Sequence, residues 1–224
     1  MKFFTVWVIK GLSLSQLREA IEQTITENPH LATERTPSDN IWNIGDLSAG
    51  MNEKSGLLTL WLSPEAGLRS PTFELFRTKN LDFLAITFMD DDCWSYALTQ
   101  AGKPVDRFAT LPDHDTPFEL RDTVKGDPAK LEAVLGIDPK VSTKYLRWWR
   151  TPQDTTGWSE EKEDEYFDQL DNLDNPPGKA NEGDEAEYGD AWQMLDFVRA
   201  IGGLWPPKND GRWIQYKLQK ATKG

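Results

Sequence analysis

The 224-residue chain has one cysteine, Cys93, and two histidines, His30 and His114. A lone thiol excludes an intrachain disulfide and any cysteine-based zinc site, and it suits a reducing compartment. Long apolar runs are missing too; no stretch approaches the roughly 20 residues that span a bilayer. The opening residues, MKFFTVWVIKG, are too short and too strand-like for a secretory signal, so a cytoplasmic location is expected. Positive charge is in deficit. There are 25 Lys and Arg against 37 Asp and Glu, a net charge of −12. Phosphates are bound by cations, so this balance argues against nucleic acid and anionic membranes as partners. The signatures G-x-x-x-x-G-K-[ST], G-x-G-x-x-G and H-E-x-x-H do not occur, and no repeat of fixed period is found. Neither a cofactor nor a resident metal is expected.

What is present is organised around Leu81 to Pro112. Phe83 to Met89 is nearly all apolar and reads as a strand covered on both faces. Asp90-Asp91-Asp92 reads as a turn. Trp94, Tyr96 and Leu98 then alternate with smaller or polar residues, a period of two. Gln100 to Lys103 is a turn in which Gly102 takes positive φ, and Val105 to Phe108 resumes as a strand entered through Pro104.

Upstream, Phe3 to Ile9 reads as a central strand. Ser13 and Gln16 form a capping-box pattern, and Leu14, Leu17, Ile21 and Ile25 share a helical face that stops at Asn28-Pro29. Ile41 to Ile44, Leu57 to Leu62 and Thr72 to Phe76 are further strand candidates, and Asp46 to Gly56 reads as a polar loop. Downstream, Asp127 caps a helix with Pro128 at its first position, and Gly136 is placed to end it. A second helix is expected at about Ser142 to Trp149. Gly189-Asp190 opens a last helix with Trp192, Leu195, Val198 and Ile201 on one face, and Trp213 to Leu218 reads as a final strand. The expected fold is therefore α+β: a mainly antiparallel sheet with packed helices and an acidic insertion or linker before a C-terminal helix. The expected divisions are a core at 1–152, an acidic segment at 153–190, and a C-terminal helix and strand at 191–224 that pack on the core.

Two resemblances fall in the middle of the chain. Leu131, Leu135, Gly136, Ile137, Val141, Tyr145 and Leu146 look like a helix-turn-helix, with Lys140, Lys144, Arg147 and Arg150 adding positive charge. Glu132 stands where that motif carries a small residue, and the reading preferred is an αα-hairpin packed on the sheet. The second rests on Trp94 and Tyr96, the run Gly102 to Phe108, then Gly126-Asp127-Pro128 with Leu131, Leu135 and Gly136. In these residues the section 91–150 resembles a group of uncharacterised bacterial proteins. That group has no settled activity, so the resemblance brings no site residues with it.

Function is read mainly from charge. Residues 153–190 hold 14 Asp and Glu against two Lys, a net of −12, so this segment carries all of the chain's net charge. Trp158, Tyr166 and Phe167 are interleaved with it. Acidic side chains steer a positive partner and aromatics anchor it. The leading expectation is a non-enzymatic protein-interaction module of immunity or inhibitor type. It would bind a basic protein through Trp158, Glu161, Asp164, Glu165, Tyr166 and Phe167. The alternative is a metal-assisted hydrolase, in which Asp90, Asp91 and Asp92 meet Asp113, His114 and Asp115 around an ion. A third reading uses the ten tryptophans as a carbohydrate-binding surface and requires two indole faces open in one cleft.

Overall fold

The computed structural model describes residues 3–27, 32–35, 47–62, 80–89, 92–168, 178–205 and 212–218. The chain folds as two compact units, and four of the strands have residues in both. Unit 1 comprises 1–3, 86–98 and 104–201; unit 2 comprises 4–85, 99–103 and 202–224. The acidic segment 153–190 therefore belongs to unit 1, and the last strand belongs to unit 2 with the N-terminal region.

Unit 2 is built on β1 (Phe3–Lys10), followed by α1 (Leu14–Glu27), β2 (Ala32–Arg35), β3 (Leu47–Asn52) and β4 (Leu57–Leu62). The start of β5 (Asp82–Met89) and the closing strand β8 (Trp213–Leu218) complete it. Its strands run in the order β2-β8-β3-β4-β1-β5. The pairs β1–β4, β3–β4, β3–β8 and β2–β8 are antiparallel. The apolar run of β1 is explained by its place between β4 and β5: Val6, Val8 and Ile9 are fully buried. Trp7, Ile9, Leu12, Leu17, Ala49, Leu58, Leu60 and Ile214 form one core cluster. The capping box opens α1 as its spacing predicts. Ser13 N donates to Gln16 Oε1 at 2.9 Å, and Gln16 N donates to Ser13 Oγ at 3.2 Å.

The segment read as a polar loop at Asp46 to Gly56 contains strand β3, a correction with a clear cause. Gly50 lies opposite Trp213 in the β3–β8 register, and a Cβ on Gly50 would sit 2.5 Å from the indole. The neighbouring ring fills the space that a side chain would occupy. A glycine inside a strand often marks such a close approach. The strand candidates Ile41 to Ile44 and Thr72 to Phe76 lie outside the described residues.

Unit 1 contains the rest of β5, then most of β6 (Cys93–Gln100) and of β7 (Lys103–Ala109), in the order β5-β6-β7; residues 99–103, which include the turn joining those two strands, belong to unit 2. The turn between β6 and β7 holds Gly102 at φ 75. Next come the short α2 (Pro112–Asp115), a 3-10 helix (Phe118–Val124), α3 (Pro128–Leu135), α4 (Pro139–Tyr145), α5 (Glu160–Asp168) and α6 (Gln193–Ala200). Asp127 caps α3 by accepting from Ala129 N at 2.9 Å, and Gly136 ends it at φ 78. The same chemistry repeats one helix later, where Asp138 accepts from Lys140 N at 2.8 Å. Helix α4 thus starts three residues before the expected Ser142 and ends at Tyr145, leaving Trp148 and Trp149 beyond it. The interior is aromatic. Phe197 of α6 stands 5.2 Å from Trp94 and 5.4 Å from Tyr145, and Trp94 stands 4.9 Å from Phe108.

Candidate functional site

Helix α5 is the most strongly charged element described. Ser159 starts it, with its carbonyl accepting from Lys162 N and Glu163 N at 3.0 Å each. Glu160, Glu161 and Glu163 sit in the first turn, where negative charge complements the helix dipole. The last turn has no base of its own. Arg150 supplies one from outside, donating from Nη1 to the Tyr166 carbonyl at 3.2 Å.

The two sides of α5 behave differently. Glu160, Glu161, Asp164, Glu165 and Asp168 recur at i and i+4, are all exposed, and line an open concavity of about 570 Å³. Among the described residues none of the five has an ion-pair partner. The pairs 160–164, 161–165 and 164–168 place like charges one turn apart. Each such pair costs about 0.2–0.5 kcal/mol, or about 1 kcal/mol for the three together.

The inner side compensates. Lys162 Nζ lies 3.6 Å from the centre of the Trp158 ring, and Trp158 meets Tyr166 edge-on at 5.6 Å. Tyr166 covers the Arg150 guanidinium at 4.1 Å, and its hydroxyl donates to Asp113 Oδ2 at 2.6 Å. Asp113 and Arg150 are buried, their side chains 2% and 3% exposed, with Arg150 Nε 3.7 Å from Asp113 Oδ1. Gln153 N adds a second donor to Asp113 Oδ2 at 3.3 Å. Burial, and then the hydrogen bond to Asp113, push the Tyr166 hydroxyl up to about 12. Breaking such a buried pair is strongly destabilising, because it strands a charge away from water. Asp113, Arg150 and Tyr166 therefore fasten α5 to the body of unit 1.

The residues selected from sequence divide accordingly. Glu161, Asp164 and Glu165 lie together on the outer face. Tyr166 is half-buried and turned inward, and Trp158 is half-buried beneath Lys162. Phe167 lies in α5, and its side chain is outside the described set. Of the residues chosen for metal-assisted hydrolysis, Asp90 and Asp91 lie outside the described residues, and Asp92 leads into β6. Asp113 is engaged as above; His114 and Asp115 belong to α2, and their side chains are outside the described set. Among the described residues no three His, Cys, Asp or Glu side chains form a group able to hold a metal ion. The nine described tryptophans are all buried or half-buried; the tenth, Trp42, lies outside the described residues.

The second described part of the acidic segment, 178–190, is tied down by its polar groups. Tyr145 donates its hydroxyl to the Asp184 carboxylate at 2.9 Å, and Asn181 Nδ2 donates to that hydroxyl at 2.7 Å. Burial, and then Asp184, raise the Tyr145 hydroxyl above its ordinary value. Lys144 Nζ donates to Asn181 Oδ1 at 2.7 Å, and the Tyr188 hydroxyl donates to the Lys144 carbonyl at 2.6 Å. Asp196, 2% exposed, accepts from Glu185 N, from Ala186 N at 2.8 Å, and from Arg199. Sequence reasoning missed Arg150, Asp184 and Asp196 as binding groups. The only signal for Asp196 was an acid at position 4 of a helix whose other faces are apolar.

Fold and site together define an α+β protein with a mainly antiparallel sheet and an acidic helix mounted on a buried ion pair. Comparisons with protein-family models, with curated proteins and with solved structures each find no match. Among the described residues no helix is long and apolar enough to cross a membrane.

Proposed function

We propose that this chain is a non-enzymatic interaction module of immunity or inhibitor type, which captures a basic protein on the outer face of α5. The supporting observation is the row of five exposed carboxylates, Glu160, Glu161, Asp164, Glu165 and Asp168, that no described lysine or arginine neutralises. A helix face that repels itself is stabilised when an opposing cation arrives, so the cost borne by the free protein becomes a gain on binding. The mechanism is steering over a Debye length of about 8 Å followed by occlusion of the partner's basic surface.

The test compares the wild-type chain with a variant neutralised at all five positions (Glu160→Gln, Glu161→Gln, Asp164→Asn, Glu165→Gln, Asp168→Asn). Each is used as bait in an extract of the native host at low and high salt. The wild type is expected to retain a basic protein that high salt releases, and the variant to lose it. Equal retention by both baits, or retention indifferent to salt, refutes the proposal.

A further inference from the structure

Two stretches singled out in the sequence and unused by the α5 face, Pro104 to Arg107 on β7 and Gly126-Asp127-Pro128 at the start of α3, line one open groove of about 680 Å³ in unit 1. That volume falls in the range of small-molecule sites, about 300–1,000 Å³. Among the lining residues Asp106 is the buried acid, its side chain 7% exposed. Its Oδ2 accepts from the Tyr96 hydroxyl at 2.7 Å and from Asp127 N at 2.8 Å, which fixes the carboxylate. The chain closes tightly over this pair at Gly126, where φ is 72 and a Cβ would lie 2.7 Å from the Tyr96 hydroxyl. The other oxygen, Oδ1, lies 3.7 Å from Lys130 Nζ, and the same ammonium donates to the Val105 carbonyl at 3.1 Å. Val105, Asp106 and Lys130 all line the groove. The Lys130 side chain is 49% exposed, so its ammonium can swing into water, whereas Asp106 is held in place.

We propose that this groove binds a primary alkylammonium group, carried by a free amine or by a lysine side chain, and that Lys130 is its built-in occupant. The argument is one of replacement. Stripping a buried carboxylate of its cation is strongly unfavourable, so Lys130 leaves when another cation takes its position. Asp106 Oδ1 and the Val105 carbonyl already converge on an ammonium. An incoming one brings the same compact charge and three donors, and its alkyl chain lies in the groove. The tethered Lys130 competes at an effective concentration on the order of millimolar, which holds the affinity for outside amines down. The site is independent of the α5 face.

Rescue by added amine tests this in the full-length chain. Lys130→Ala is titrated with propylammonium and with neutral propan-1-ol, and the melting temperature and the Asp127 amide resonance are followed. The variant should melt below the wild type. Propylammonium should restore the melting temperature saturably and shift the Asp127 amide, while propan-1-ol does neither. The wild type should bind the amine about tenfold or more weakly, because Lys130 must first be displaced. Lys130→Met, which keeps the aliphatic stem, carries the test should the alanine variant fail to fold. Asp106→Asn, which retains an oxygen to accept from Tyr96 and Asp127, should lose the response. Putrescine and Nα-acetyl-lysine amide are titrated in parallel, and the tighter of the two identifies the source of the group. Equal binding by wild type and Lys130 variants, equal action of propan-1-ol, or an unchanged response in Asp106→Asn overturns the proposal.

Discussion

Replacing Tyr166 with phenylalanine deletes one hydroxyl and keeps the ring that covers Arg150 at 4.1 Å. Asp113 Oδ2 then loses its 2.6 Å donor and, among the described residues, retains Gln153 N at 3.3 Å. Asp113 is a buried carboxylate, and hydrogen bonds to charged groups contribute about 1.5–3 kcal/mol, so Tyr166→Phe is expected to destabilise unit 1 by about 2 kcal/mol. With a urea m-value near 2 kcal/mol/M, the midpoint falls by about 1 M. Amide exchange should show α5 opening first, since the lost bond ties the helix to Asp113. The pH dependence has a definite sign. The Tyr166 hydroxyl is raised from 10.0 to about 12, so the folded state favours its protonated form. That contribution is complete below pH 10 and disappears as pH rises through 12. The wild type should therefore lose stability across this window more steeply than Tyr166→Phe. A loss below about 0.5 kcal/mol, with unchanged exchange in α5, would refute the assignment of Tyr166 as the fastening of the helix.

Three further substitutions probe other parts of the argument. Gly50→Ala places a Cβ 2.5 Å from the Trp213 ring and should cost about 1–3 kcal/mol by overpacking; the cost should shrink in a Trp213→Val background, as read by thermal melting. Asp127→Ala removes the acceptor for Ala129 N and should cost about 1 kcal/mol, visible as loss of helical signal from α3. Asp196→Asn weakens the attachment of Glu185 N, Ala186 N and Arg199. It should cost about 3–5 kcal/mol and speed exchange of the two amides, whereas unchanged protection at Glu185 and Ala186 would count against the latch.

Elements whose signals are local were legible in the sequence. The Ser13–Gln16 box, the Asp127-Pro128 start and the Gly136 stop each depend on residues within four positions of one another, and the apolar run of β1 is continuous along the chain. What escaped notice depends on distant partners. Strand β3 looks like a loop until Trp213, far along the chain, is placed over Gly50. The fastening of α5 joins Asp113 to residues 37 and 53 positions away, Arg150 and Tyr166. No periodicity announces such a pairing. Tyr166 was chosen from sequence because acidic segments with aromatics suggest an interface, yet the ring is turned inward, and that depends on a buried guanidinium whose burial the sequence does not display. Of the outer carboxylates, Glu161, Asp164 and Glu165 are the ones the sequence singles out; Glu160 and Asp168 join them by i and i+4 spacing only once the helix is known.

The distribution of buried indoles has a practical consequence. Trp94 and Trp149 lie in one unit, and Trp7, Trp205 and Trp213 lie in the other, all sheltered from solvent. Each unit thus carries its own intrinsic fluorophores. Conservative Trp→Phe changes confined to one side would leave a protein whose emission reports melting of the other alone. Whether the two melt together or in sequence then becomes a question for a fluorimeter, with no label attached.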